Sequence, residues 1–235
     1  MPLSVINSYS NSDNLVNSVT VAAALASGSN KLIVAGVNFE VGAAITQVST
    51  LLWNGVSLSP IATRGTGVGD ERCELWGLIA PFADGNSHNL VCTFDGTLAF
   101  AGTVGLVYFN GAHQSSPYGT AVGAGVTNSQ TPSVTVSCAI DDIIIDCLTV
   151  NSTSAVADAS QAERWNILNG GNTTGAGSTE LATSTSVVMS WTLGAVDDWN
   201  ILAVPIKPAI DFLTSHILKQ GNPLRPRAFR PGFAR

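Results

Sequence analysis

The chain has 235 residues, a net charge of −6, 45% hydrophobic residues and only 11% charged residues. This much Val, Ile and Leu would collapse into a core, so the composition excludes a chain that is disordered throughout. No 18-residue stretch lacks polar residues, which argues against a transmembrane helix, and the first residues lack the basic and apolar segments of a secretory signal.

Apolar and polar residues alternate through most of the first 207 residues, with the period of two that is typical of β-strands. Strands are predicted at 19–25, 31–39, 45–53, 56–61, 73–80, 89–94, 99–110, 133–137, 142–150, 164–168, 186–193 and 199–207. Asn54-Gly55 predicts a tight hairpin turn, because both central residues must accept positive φ. We therefore expect an all-β protein, an antiparallel two-sheet sandwich of the jelly-roll type, in one domain over residues 1–208.

The pattern changes after Pro208. Ile210, Leu213 and Ile217 recur at helical spacing, and Gly221 is a helix stop, so a short helix is predicted within residues 209–219. The remaining GNPLRPRAFRPGFAR is rich in proline, which favours an extended backbone. Residues 209–235 are predicted to form a C-terminal arm, made of a short helix and an extended basic strip.

Charge divides at the same boundary. Residues 1–208 carry five basic and fifteen acidic residues, a net −10, whereas residues 209–235 carry five basic residues and one acid, a net +4. A basic arm on an acidic body indicates docking on another copy of that body. Arginines could also contact nucleic acid, but the acidic body and the proline spacing favour a protein groove. The predicted partner-binding residues of the arm are Ile210, Phe212, Leu213, Ile217, Arg225, Arg227, Phe229, Arg230, Phe233 and Arg235.

The sequence carries few signs of catalytic chemistry. The sequence has no HExxH, GxSxG or P-loop motif, so we predict no catalytic, cofactor-binding or metal-binding residues and expect a protein that is not an enzyme. In DDIIIDC, Asp142 and Asp146 share one face of a predicted strand. Such a pair could bind calcium or hydrolyse glycosides, but a strand with one solvated face is the favoured interpretation.

The cysteines and tryptophans have structural interpretations beside functional ones. The four cysteines lack CxxC spacing, which favours buried free thiols, with a cross-strand disulfide as the alternative. Tryptophan within an alternating strand usually packs in a core, although an exposed ring could stack on a sugar. Trp165, in AERWNIL, is the best candidate for such an exposed ring, and it supports the alternative function of a carbohydrate-binding or adhesive module.

The succession WNGVSLSP, ELWGLIAP, GAGSTE, VVMSWTL and WNILAVPIKP resembles a jelly-roll or concanavalin-like β-sandwich module found in tailed-phage virion proteins and bacterial surface proteins. The resemblance covers roughly residues 15–208 and implies a structural or adhesive role with no catalytic residues. Without an export signal, a virion component made in the host cytoplasm fits better than a surface adhesin.

The resemblance and the arm together lead us to expect a non-enzymatic virion structural protein, either a capsid decoration (cement) protein or a tail or fibre component. Its partners would be copies of itself and other virion proteins, with no cofactor, no membrane and no nucleic acid. Closed symmetry is the default for such assemblies, and a trimer is the expected state.

Overall fold

The computed structural model describes residues 1–41, 47–65, 70–98, 100–170 and 172–210. Within these ranges the regular elements are β-strands, which form four antiparallel sheets. The predicted all-β class is confirmed, and the architecture is sandwich-like. The prediction of only two sheets is wrong, because the four sheets form two sandwiches that stack on each other.

The first sandwich contains nine strands before residue 111. They are β1 (Ser4–Asn14), β2 (Ser18–Ala24), β3 (Leu32–Glu40), β4 (Val48–Trp53), β5 (Val56–Ser57), β6 (Ser59–Gly65), β7 (Glu71–Ile79), β8 (Ser87–Phe94) and β9 (Ala101–Asn110). One sheet has the order β1-β9-β3-β7-β6 and the other β2-β8-β4-β5. Asn54 and Gly55, with φ of 46° and 79°, form the predicted turn between β4 and β5.

The second sandwich contains eight strands. They are β10 (Val122–Ser129), β11 (Ser133–Ser137), β12 (Ile143–Val150), β13 (Ala155–Ala157), β14 (Ala162–Asn169), β15 (Thr173–Leu181), β16 (Ser186–Leu193) and β17 (Asp197–Ile206). One sheet has the order β10-β17-β12-β15-β14 and the other β11-β16-β13. Each sandwich has its own apolar core between its two sheets.

The two sandwiches repeat one topology. The order β1-β9-β3-β7-β6 corresponds strand for strand to β10-β17-β12-β15-β14, and β2-β8-β4 corresponds to β11-β16-β13. The correspondence extends to an irregularity in the ladder. The β6–β7 pairing shifts between Pro60 and Ala62, and the β14–β15 pairing shifts between Glu163 and Trp165, each after its second residue pair. The chain therefore contains one fold twice, joined by a linker of residues 111–121.

The two five-stranded sheets face each other across a layer of apolar side chains that we call the seam. Packing across it is reciprocal: β9 lies on β15 as β17 lies on β7, and β3 faces β12, as expected for an approximate two-fold axis. Strands β3, β9, β12 and β17 are consequently buried on both faces. A sheet that is apolar on both faces needs a covering layer on each side, which explains why two sheets do not suffice.

Buried hydrogen bonds also join the two sandwiches. Asn38 Nδ2 donates to the carbonyl of Leu148 at 2.7 Å, and Asn38 Oδ1 accepts from Trp165 Nε1 at 3.1 Å. Thr149 Oγ1 donates to the carbonyl of Arg72 at 2.8 Å. Because each partner lies in the opposite sandwich, these bonds fix the register of one against the other.

Candidate interaction site at the base of the C-terminal arm

The described chain ends where the arm begins. Pro208 forms a β-bridge with Ala112, and the amide of Ala209 donates to the carbonyl of Gly111 at 2.7 Å. Ile210 follows with 60% of its surface exposed. The base of the arm is thus held against the linker, at one end of the seam.

Of the ten predicted partner-binding residues, only Ile210 belongs to the described part of the chain. The other nine lie outside it, as does most of the predicted helix: Phe212, Leu213, Ile217, Arg225, Arg227, Phe229, Arg230, Phe233 and Arg235. Their role and the domain boundary at residue 208 stay predictions.

A groove of about 900 Å³ opens beside the base of the arm. The linker, the β11–β12 turn and the end of β17 line it with His113, Tyr118, Cys138, Ile140, Pro205 and Lys207. The mixture of an aromatic ring, exposed aliphatic surface and one lysine suits an extended peptide segment. Sequence patterns did not reveal this groove, because the linker carries no strand period; its isolated Tyr118, after Ser-Ser-Pro, was the available signal.

The linker is held rigidly where it lines the groove. His113 Nδ1 accepts hydrogen bonds from the amides of Ser115 at 3.2 Å and Ser116 at 3.1 Å. The amide of Gly119 donates to the carbonyl of Pro205 at 2.8 Å, which ties the linker to β17. This wall of the groove is therefore preformed.

Trp165 is not the exposed aromatic platform that its sequence suggested. It is 3% exposed and lies in the seam, where its Nε1 donates to Asn38 Oδ1. Edge strand β14 appears half solvated in sequence, but the first sandwich covers the face that carries Trp165. A buried ring cannot stack on a sugar, so the carbohydrate-binding alternative loses the residue on which it rested.

The two acids of DDIIIDC also differ from the expected solvated face. Asp146 is completely buried; its Oδ1 accepts from the Ser178 amide at 2.5 Å and its Oδ2 accepts from Trp191 Nε1 at 2.7 Å. Burial raises the pKa of Asp146 to about 7, although these bonds oppose the shift. Asp142 accepts the Ala139 amide at 2.8 Å in the β11–β12 turn. Both carboxyl groups thus have structural partners.

A second group of acids closes one end of the seam. Glu71 is 2% exposed, and its Oε2 has no hydrogen-bond partner among the described residues. Burial raises the pKa of Glu71 to about 7, and the nearby charges of Asp198, Glu40 and Asp197 push it in the same direction. Glu40 Oε1 accepts from Thr173 Oγ1 at 2.8 Å across the seam. Acids of both sandwiches therefore repel one another here.

The four thiols are free, as the sequence indicated. Cys73, Cys92 and Cys147 are buried, and Cys138 is half-buried beside the groove. Burial raises the pKa of Cys92 and of Cys147 far above the usual thiol range, which keeps both protonated and unreactive.

Within the described ranges, no group of three or more His, Cys, Asp or Glu side chains is arranged to hold a metal ion. In the same ranges no helix is long and apolar enough to cross a membrane. No protein-family model matches the sequence, and neither does any curated protein.

Proposed function

We propose that this protein is a non-enzymatic virion structural component, a capsid decoration protein or a tail or fibre component, that assembles through its basic C-terminal arm. The observation that carries the proposal is the division of charge at the base of the arm. A body of net −10 and an arm of net +4 meet at Pro208, where the arm leaves an exposed end of the seam beside a groove. Opposite charges on the two parts of each copy favour binding between copies.

The body has the properties of a rigid building block. Four sheets are stacked, three apolar layers lie between them, and buried polar groups such as Asn38 and Asp146 are bonded within these layers. A stack of this kind resists deformation, which suits a particle that must keep its shape. The order β1-β9-β3-β7 against β2-β8-β4-β5 supports the jelly-roll class that we propose for the first sandwich.

The partners in this proposal are further copies of the chain, in a closed trimer, and other virion proteins. The test compares the full-length chain with a chain ending at Ile210, which keeps the contacts of Pro208 and Ala209 with the linker. A full-length variant with Arg225, Arg227, Arg230 and Arg235 changed to Gln is the matched control for charge.

Light scattering and negative-stain imaging would measure the assemblies. We expect defined oligomers from the full-length chain, monomers from the truncated chain and salt-sensitive, weakened assembly from the Gln variant. Melting temperatures of the three proteins should agree within a few degrees. Oligomers of the same size from the truncated chain would refute the role of the arm.

A further inference from the structure

The repeat places two residues of unequal size at equivalent positions of the seam. Val5 pairs with Phe109 of β9, and Tyr118 pairs with Ile206 of β17. Phe109 and Ile206 are equivalent, because they lie opposite the first residues of β3 and β12. Val5 and Tyr118 therefore occupy the same place in the two halves.

Tyr118 fills its place. Its ring crosses the seam to Gly77 of β7, where an added Cβ would overlap the hydroxyl group, and Ile61 lies beside it. Burial raises the pKa of Tyr118 to about 12. The first sandwich thus accepts an aromatic ring from the linker, and the hydroxyl end of this ring packs directly against Gly77.

Val5 leaves its place partly empty. By strand register, Thr179 corresponds to Gly77 and Arg164 to Ile61, the residue at the ladder irregularity. A cavity of about 270 Å³ remains here, lined by Val5, Ala162, Arg164, Thr179, Glu180 and Leu181. We call this cavity the open niche.

The chemistry of the open niche differs from that of its filled counterpart. Arg164 Nε donates to Thr179 Oγ1 at 2.7 Å, and burial lowers the pKa of Arg164. None of the ion pairs in the described part of the chain involves this guanidinium. Its planar face therefore remains suited to an aromatic ring, by stacking and by cation–π attraction.

Glu180 lines the open niche, and Asp158 lies close to Glu180. Ser160 Oγ lies 3.0 Å from Glu180 Oε2 and 2.9 Å from Asp158 Oδ1 and can donate its single hydrogen to either, so the two carboxylates lie close together. An aromatic side chain that enters the niche would have its own neighbours in sequence beside these acids. The surface therefore fits a ring flanked by basic residues.

The arm contains such a segment. In RPRAFRPGFAR, Phe229 lies between Arg227 and Arg230. It lies nineteen positions beyond Ile210, a reach of up to about 60 Å, which exceeds the roughly 40 Å diameter of a body of this size. Phe212, two residues beyond Ile210, has no such reach.

We propose that the open niche of one copy receives Phe229 from the arm of a second copy, with its ring on Arg164 and with Arg227 and Arg230 beside Asp158 and Glu180. This inference rests on the proposed function and deepens it, since it names the docking place. A donor arm and a distant acceptor niche on the same chain make the contact head-to-tail, which closes into a ring when the rotation permits.

The test separates donor from acceptor. Val5→Tyr places in the open niche the side chain that fills the equivalent one, and leaves the arm intact. Phe229→Ala removes the anchor and leaves the niche intact. Each variant alone should assemble at least tenfold more weakly than the wild type, and an equimolar mixture of the two should form a one-to-one heterodimer in light scattering. Phe212→Ala is the matched control and should assemble as the wild type does.

Glu180→Lys is a second variant of the acceptor niche, for the case that Val5→Tyr does not fold. It changes the rim of the niche and keeps the core unchanged. It should weaken assembly at least tenfold, because the new lysine would repel the arginines of the arm. Circular dichroism melting of each variant checks that the body is folded. No heterodimer in the mixture, or loss of assembly in Phe212→Ala instead of Phe229→Ala, would overturn the proposal.

The two proposals fail in different ways. If Glu180→Lys and Val5→Tyr assemble like the wild type while the chain ending at Ile210 does not, the niche is wrong and the arm's function stands. If the truncated chain also assembles, the arm's function is wrong. In that case the niche is tested by the fluorescence anisotropy of a labelled peptide of residues 221–235. Binding of the peptide to the wild type and not to Val5→Tyr supports the niche, and equal binding to both or to neither overturns it.

Discussion

The two sandwiches share one topology but place residues of very different size in the seam, at the position just after the ladder irregularity. In the second sandwich this position is Trp165. Its ring lies where an added Cβ on any of three glycines would overlap it, two from the first sandwich and one from its own: Gly36, Gly105 and Gly177. One of the largest side chains is thus surrounded by three of the smallest.

The first sandwich has the reverse arrangement. Its equivalent position is Ala62, and the strand registers place Leu75, Cys147 and Leu202 where the other side has the three glycines. All of them belong to the seam. The difference shows that the repeated fold keeps its strand register across the seam, while the residues that fill equivalent places of the seam differ between the two halves.

The largest expected effect on stability comes from removing the tryptophan ring from the seam. Trp165→Ala should lower the free energy of unfolding by about 3–5 kcal/mol, because three glycines cannot fill the resulting cavity and Asn38 loses a donor. Denaturant unfolding followed by circular dichroism measures the loss. Adding Gly105→Leu, which imitates Leu202 at the equivalent position and whose Cβ would have the removed ring as its three nearest atoms, should recover part of it. A loss below about 1 kcal/mol, or a further loss in the double variant, would contradict reciprocal packing.

A smaller effect of the same sign is expected in the core of the second sandwich. Asp146→Ala should lower the free energy of unfolding by about 2–3 kcal/mol at pH 5.5, where Asp146 is protonated in the folded protein. The amide of Ser178 and Nε1 of Trp191 would remain buried without acceptors. Asp158→Ala, which removes an exposed carboxyl group, is the control and should leave the urea midpoint unchanged. Equal midpoints for both variants would show that Asp146 has no structural role.

The smallest effect is expected at the acidic end of the seam, with the opposite sign. The pKa of Glu71, about 7 in the folded protein against 4.5, means that folding favours the protonated form. The contribution of Glu71 to the free energy of unfolding is therefore highest below about pH 4.5 and is lost as the pH rises through about 7. Glu71→Gln removes this dependence and should stabilise the protein by about 1–2 kcal/mol at pH 8 and little at pH 5.

Urea unfolding of the wild type and of Glu71→Gln at several pH values measures the difference in their free energies of unfolding. Asp146 is present in both proteins, so its own pH dependence cancels in this difference. Glu40→Gln, which keeps an acceptor for Thr173, should act in the same direction with a smaller magnitude. A difference between Glu71→Gln and the wild type that stays constant from pH 5 to pH 8 would contradict the assignment.

Local patterns predicted the strands whose apolar residues alternate or run together. Ser133–Ser137 and Ser186–Leu193 agree with their predicted bounds, and the Asn54-Gly55 turn lies where expected. The sequence did not predict β1, which is a polar edge strand of Ser and Asn residues. Nor did it predict β15, because Gly175 and Gly177 are typical of loops. Gly177 is a glycine for a tertiary reason, the Trp165 ring, that no local pattern contains.

The arrangement of the sheets was harder to predict for the same reason. Two equivalent positions occupied by Trp165 and Ala62, or by Tyr118 and Val5, do not look like a repeat in the sequence. The burial of Trp165 depends on the other sandwich, which covers β14, so the pattern AERWNIL alone indicated exposure. The open niche arises from contacts across the seam, and the groove arises from the packing of the linker on the second sandwich. Only the chemistry of the arm could be predicted directly from the sequence.

The linker of residues 111–121 has a consequence for how freely the two halves could diverge. A pair of separate sandwiches would meet at the concentration of the protein in solution, and any residue change would appear twice in their interface. Tethered by eleven residues, the halves meet at an effective concentration of the order of millimolar, so the seam stays closed on dilution even with imperfect packing. Because the two halves belong to one chain, a substitution in one half appears only once in the seam. A filled niche and an open one can therefore coexist in one molecule.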